Sequence, residues 1–144
     1  MPFTTVYHSD FYKIEVDLKG NLLRACWLRH VTDDEIITGT TELYKALRDS
    51  KVERAVANGQ ELGAISLKAK DWLANEFYEL LSQTNVKMFA RVLPSNVFHQ
   101  IALESVTTRA EALGKARFAF RNFRDQDEAE KWLLSNPVLS QTPQ

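Results

Sequence analysis

Apolar and charged residues alternate strictly between Tyr12 and Lys19. This period of two predicts a half-buried β-strand, because successive side chains of a strand point to opposite faces. The side chains predicted to face the core are Ile14, Val16 and Leu18. Gly20-Asn21 is a two-residue hairpin signal, and the more continuously apolar run from Leu22 to Leu28 is the return strand. The pattern predicts that the chain opens with an antiparallel hairpin.

Helical periodicity follows the hairpin and alternates with short apolar runs. Thr32-x-x-Glu35 is a capping box ahead of a helix that runs to about Asp49. Asp125-x-x-Glu128 marks the start of the last helix in the same way. The other predicted helices begin at Ser66 and at Pro94-Ser95. The runs typical of strands are Val52–Ala57, Val86–Leu93 and Arg117–Arg121.

This order of elements predicts an α/β fold with a single mixed sheet of about five strands and about four helices. The N-terminal hairpin is antiparallel, and the later strands are joined by helical crossovers and are therefore parallel. Val52–Ala57 and Val86–Leu93 are predicted to be the middle strands. Residues 1–135 are expected to form one domain, and residues 136–144, which contain two prolines, a frayed tail.

Composition excludes several classes of protein. The chain has 144 residues, a formal net charge of -1 and 44% hydrophobic residues, which argues against disorder and against a general affinity for nucleic acid. Cys26 is the only cysteine, so no intramolecular disulfide can form. We find neither a signal peptide nor an apolar run that spans a membrane, so a cytoplasmic location is expected.

Taken together, these elements resemble the STAS domain of anti-anti-sigma factors, and more closely a group of small bacterial single-domain proteins related in fold to CRAL-TRIO lipid-transfer domains. The resembling segments are Tyr12–Trp27, Val52–Ala57, Asp71-Trp72, Ala90–Pro94 with Phe98, and Phe123–Leu133 with its Ala129-x-x-Trp132-Leu133 pattern. The resemblance implies a regulatory domain. Regulatory members carry an aspartate after the central strand and a phosphorylatable Ser or Thr at the next helix start. Here Asn58 and Ser66 stand near those places.

Ligands of open α/β sheets favour the edge at the carboxyl ends of the parallel strands. The residues predicted to gather there are His30, Asn58, Gly59, Gln60, Ser66, Ser95 and Asn96. Helix N-termini at that edge suit an anion. The alternative interpretation is that Ser66 and Ser95 simply cap their helices, as serine often does. A phosphate on Ser66 is a further hypothesis.

Enzymatic chemistry has little support in the sequence. None of His8, His30 and His99 has a second ligand at metal spacing, and no nucleophile elbow or nucleotide-binding loop is present. We predict no catalytic residues, no metal site and no cofactor. Six aromatic residues lie at core spacing and are predicted to pack inside: Trp72, Phe77, Phe98, Phe118, Phe120 and Trp132.

A basic stretch near the last predicted strand offers a second candidate surface. Alternation there places Phe118 and Phe120 on one face and Arg117 and Arg121 on the other. The charges either protect a sheet edge from aggregation or form a docking patch for an acidic partner. The candidate patch is Arg109, Lys115, Arg117, Arg121 and Arg124.

The leading functional hypothesis is a non-enzymatic regulatory or protein-interaction domain that binds a protein partner. Formation of a homodimer is left as an open alternative. A carrier of a small apolar or amphipathic ligand is the first alternative, and an enzyme with dispersed residues the second. A large closed apolar pocket favours the carrier, and an exposed apolar patch favours the interaction domain. A cluster of titratable groups with shifted pKa values favours the enzyme.

Overall fold

The computed structural model describes residues 2–115 and 117–135, and within them six strands form one mixed sheet in the order β1-β2-β3-β4-β5-β6. The strands are β1 (Thr4–His8), β2 (Tyr12–Asp17), β3 (Leu22–Trp27), β4 (Arg54–Asn58), β5 (Met88–Val92) and β6 (Ala119–Phe123). β2 pairs antiparallel with both β1 and β3, and the pairs from β3 to β6 are parallel. The predicted fold class is confirmed, and the predicted C-terminal tail lies outside the described residues.

Four helical segments accompany the sheet in the described chain. They are α1 (Asp33–Ser50), a continuous segment made of α2 (Leu67–Trp72), a π-helical turn (Leu73–Phe77) and α3 (Tyr78–Ser82), then α4 (Val97–Ala112) and α5 (Gln126–Ser135). The predicted caps are largely present. The Ser66 hydroxyl accepts a hydrogen bond from the Ala69 N–H, and the Asp125 carboxylate accepts one from the Glu128 N–H. For α4 the cap is Asn96, so the helix starts later than Pro94-Ser95 predicts.

The opening hairpin differs from its prediction in two places. The strand ends at Asp17, so Leu18 is exposed in the turn, whereas Ile14 and Val16 are buried as predicted. A further strand, β1, pairs with β2 and makes six strands where about five were expected. Its residues are mostly exposed at a sheet edge, which leaves no apolar alternation for a sequence pattern to show.

The two faces of the sheet are covered unequally. All three crossover segments pack on one face, where residues such as Ile14, Leu23 and Phe89 meet α1, α2 to α4 and the π-helical turn in one large core. On the other face, α5 inserts Ala129 and Leu133 against a smaller cluster from β3, β4 and β5. A bidentate ion pair fixes α5 there, because Arg24 donates to both carboxylate oxygens of Glu130, at 2.7 and 2.8 Å.

The capping box of α1 is reinforced by an arginine from the preceding loop. Arg29 donates to both carboxylate oxygens of Glu35, and the Thr32 N–H donates to one of them. These hydrogen bonds, those from Arg29 first, lower the pKa of Glu35 from 4.5 to about 2. A carboxyl whose pKa is lowered by folding stabilises the protein fully above its unfolded pKa. That stabilisation is lost as the pH falls through the folded value.

Glu35→Gln is therefore expected to lower stability near neutral pH and to flatten the acid dependence between about pH 5 and pH 2. Urea unfolding at a series of pH values measures both effects. Glu42→Gln on the same helix is the control, because it removes an equal charge without touching Arg29. An acid profile of Glu35→Gln that matches the wild type would contradict this account.

Candidate functional site

The structure brings part of the predicted ligand edge together at the end of β4. The Asn58 amide donates to the side chain of Gln126 at 2.9 Å and to that of Gln60 at 3.3 Å. The Gln60 side chain in turn donates to the Arg124 carbonyl, and Gly59 is buried beneath this turn, its N–H donating to the Val92 carbonyl. These side chains satisfy one another and tie the start of α5 to the sheet.

Ser66 and His30 lie together near the start of α1. The Ser66 hydroxyl donates to the Asp33 carboxylate at 2.7 Å while it caps α2, and the His30 ring packs against Gly63. A phosphate on Ser66 would face the carboxylate of Asp33, and like charges at such close range repel each other. The geometry thus favours the capping role of Ser66 over a switch, although phosphorylation of Ser66 stays a hypothesis.

Ser95 and Asn96 lie apart from these groups, beside a groove. Ser95 is exposed, and the Asn96 side chain accepts hydrogen bonds from the N–H groups of Phe98 and His99. The groove has a volume of about 500 Å³ and lies between the turn after β4 and the start of α4. Its walls include Gln60, Glu61, Pro94, Ser95, Gln100 and Arg124.

Beside this groove, α4 exposes Phe98, which its sequence predicts to be buried. Phe98, Ile101 and Leu113 are exposed, and the buried residues are Leu103, Val106, Thr107 and Ala110. Apolar residues occur all round this helix, so its periodicity does not identify the inner face. Of the six aromatic residues expected in the core, Phe98 is the one that the structure leaves 79% exposed.

Most of the exposed residues of α4 form a stripe at helical spacing, which we call the α4 strip. It consists of Val97, Phe98, Ile101, Glu104, Thr108 and Glu111. The first two turns are apolar, and the later turns carry carboxylates. Neither Glu104 nor Glu111 forms an ion pair with another described residue. The strip therefore presents an apolar end and an acidic end on one rigid element.

The candidate basic patch is dispersed among acidic neighbours. Arg109 pairs with Asp71 at 2.9 Å, and Lys115 and Arg117 both pair with Glu79 at 3.5 Å. The predicted alternation fails at Arg117, because the strand begins only at Ala119 and Arg117 turns to α3 instead.

The last two basic residues, Arg121 and Arg124, lie near the sheet edge that β6 forms. Arg121 lies over the Phe123 ring on the opposite face from Phe120, and Arg124 borders the groove. That β6 is an edge strand is confirmed. The docking role of the basic residues stays a prediction.

No group of three or more His, Cys, Asp or Glu side chains in the described parts of the chain is placed to hold a metal ion. None of the helices that the structure describes is long and apolar enough to cross a membrane. Comparisons with protein-family models, with curated proteins and with solved structures found no match to the chain. Functional inference therefore depends on the geometry of the molecule itself.

Proposed function

We propose that this chain is a non-enzymatic protein-interaction domain of STAS-like type and that a partner docks on the α4 strip. The observation that carries the proposal is the exposure of Phe98, a residue 79% exposed between the exposed residues Val97 and Ile101. Burying a phenylalanine stabilises a folded chain by about 1.5 to 3 kcal/mol. In the folded chain Phe98 stays exposed, so this free energy of burial would instead stabilise a complex in which a partner covers Phe98.

Charge along the strip specifies the chemistry of the partner. Beyond the apolar end, Glu104 and Glu111 extend their carboxylates into solvent on the same stripe. An amphipathic helix laid along a surface presents apolar anchors at i, i+3, i+4 and i+7. The complementary partner is thus a helical segment with an apolar anchor at one end and lysine or arginine at the other.

A second copy of the chain fits this strip less well. If two strips met antiparallel, the apolar end of each would face the carboxylates of the other. If they met in parallel, Glu104 and Glu111 would face their own counterparts, and like charges across an interface are unfavourable. A basic helical segment avoids both conflicts.

The carrier alternative requires room for its ligand inside the fold. The cavity in the core has a volume of about 60 Å³, whereas a lipid-like ligand needs an enclosing pocket of several hundred Å³. A larger groove of about 720 Å³ lies between the hairpin and α1, but it is open to solvent and would not enclose such a ligand. Exposed apolar surface such as that of the α4 strip is typical of a protein-interaction site.

Selection of helical peptides from a random library on the immobilised protein tests the proposal. We expect the selected peptides to combine an aromatic or aliphatic anchor with lysine or arginine, and their affinity to fall as salt concentration rises. Phe98→Asp is expected to weaken their binding about 30-fold, as for a central interface residue. The double variant Glu104→Gln with Glu111→Gln should abolish the salt dependence, because it removes both charges of the strip.

Leu113→Asp is the matched control, because it adds the same charge at an exposed leucine at the far end of the helix. We expect it to leave peptide affinity within about two-fold of the wild type, since residues outside an interface core contribute little. Peptides that bind Phe98→Asp as tightly as the wild type, or that carry acidic residues, would refute the proposed surface. Self-association that Phe98→Asp abolishes would identify the second copy as the occupant instead.

A further inference from the structure

Arg91 is a buried cation in the middle of β5. It is 7% exposed, and its guanidinium lies beneath α4 on the more heavily covered face of the sheet. Four hydrogen bonds hold it, to the side chains of Asn122, Tyr78 and Thr107 and to the Leu103 carbonyl. All four acceptors are neutral. One of the five guanidinium N–H groups is left over, since each bond uses one of them.

Buried charges in proteins are ordinarily paired with an opposite charge, because removing an ion from water is costly. No carboxylate lies within 4 Å of Arg91 among residues 2–115 and 117–135. A neutral hydrogen-bonding shell positions the guanidinium but does not balance its charge. Within the described chain, the charge of Arg91 is therefore not balanced by an anion.

A polar group without a hydrogen-bond partner lies on the wall of the cavity that Arg91 also lines. The cavity, of about 60 Å³, is bordered mainly by apolar side chains, together with Arg91, Tyr12 and Thr40. Thr40 is satisfied, since it donates to the Ile36 carbonyl and accepts from the Trp72 indole. Tyr12 is only 1% exposed, and its hydroxyl has no hydrogen-bond partner in the described structure. Burial also raises the pKa of Tyr12 well above its usual value, so the hydroxyl stays a donor.

We propose that this cavity is a binding site for a small carboxylate, with Arg91 supplying the opposite charge and the Tyr12 hydroxyl a second donor. The volume corresponds to about two water molecules, which limits the ligand to a few non-hydrogen atoms. The apolar walls suit a short alkyl group, as in acetate, better than a fully polar anion. The site is distinct from the α4 strip and does not depend on it.

The helix beside the cavity has an irregularity that accompanies many ligand sites. The π-helical turn contributes Leu73 and Phe77 to the cavity wall. Single π-helical turns occur within α-helices, frequently at functional sites, where they widen the helix locally. The π-helical turn is thus a second feature, independent of the unpartnered hydroxyl, that is typical of a functional site at this cavity.

Thermal unfolding with sodium acetate, compared with sodium chloride at equal ionic strength, tests the proposal. We expect the midpoint temperature of the wild type to rise with acetate in a saturable way, because a ligand that binds only the folded state stabilises it. Pivalate, whose branched group exceeds the cavity, should have no such effect. A nuclear Overhauser effect from the acetate methyl group to Leu73 would locate the ligand.

Tyr12→Phe removes the hydroxyl while keeping the ring, and it is expected to weaken acetate binding about ten-fold, the loss of one hydrogen bond to a charged group. Arg91→Met removes the cation and should abolish saturable binding if the variant folds. Tyr7→Phe, a partly exposed tyrosine that lies outside the cavity lining, is the control. Equal shifts with chloride and acetate, or an unchanged acetate response in Tyr12→Phe, would overturn the site.

Discussion

Leu133→Ala is expected to lower the free energy of unfolding by about 3 kcal/mol, as large-to-small changes in a closed core do. Leu133 is fully buried between α5 and the sheet, in a cluster that contains few other residues. Alanine there removes three carbon atoms that no neighbouring side chain is placed to replace. Urea denaturation monitored by tryptophan fluorescence measures the change.

Leu134→Ala is the matched control for this prediction. Leu134 is the next residue of α5 and is 56% exposed, so the same chemical change removes little buried surface. We expect an effect within about 0.5 kcal/mol, as for ordinary surface substitutions. If both variants lost equal stability, α5 would not be packed as the structure shows.

Gly39→Val is expected to destabilise the protein by about 3 kcal/mol, through overpacking. Gly39 lies in α1 where the helix crosses the Tyr12–Trp27 pair of the hairpin. An added Cβ would lie 2.7 Å from Trp27 Cη2 and 3.1 Å from Tyr12 Cδ2. Both rings are buried and lie 4.0 Å apart between centroids, tilted by 31°, so neither can move aside without disturbing the core.

Thr38→Val serves as the control for Gly39→Val, because it places the same side chain on an exposed neighbouring position of the helix. Its stability should stay within about 0.5 kcal/mol of the wild type. Thermal or urea unfolding of the two variants compares the same side chain at a crowded and at an exposed position of the helix. A neutral Gly39→Val would mean that α1 can shift away from the hairpin at little cost.

Helix starts were the most predictable part of the fold. The N-terminal caps of three helices could be recognised from a few residues of sequence, because each cap side chain accepts a hydrogen bond from a backbone N–H close by. These caps are Thr32, Ser66 and Asp125. The order of strands and helices could be predicted from the caps and turn residues that separate these elements. Edge strands were harder to predict, because an exposed strand such as β1 has no buried face and therefore no alternation of apolar and polar residues.

The candidate sites were less predictable, because both depend on which way a side chain faces. Phe98 has an ordinary helical spacing, and its exposure results from the packing of Leu103 and Val106 instead. Arg91 did leave a signal: it is a lone internal arginine in a run that is otherwise apolar from Met88 to Leu93. A charge inside a predicted central strand indicates either a bulge or a buried site, and here it is buried.

The unequal covering of the sheet has a consequence for the newborn chain. β3, β4 and β5 can assemble with the crossover helices before α5 has been synthesised, yet their second face then exposes Leu22, Val56 and Met88. About 40 residues separate β5 from the end of α5, so translation leaves that face uncovered for several seconds. Apolar surface that is exposed in this way during synthesis is the kind that chaperones bind, and α5 removes it from solvent once it has docked.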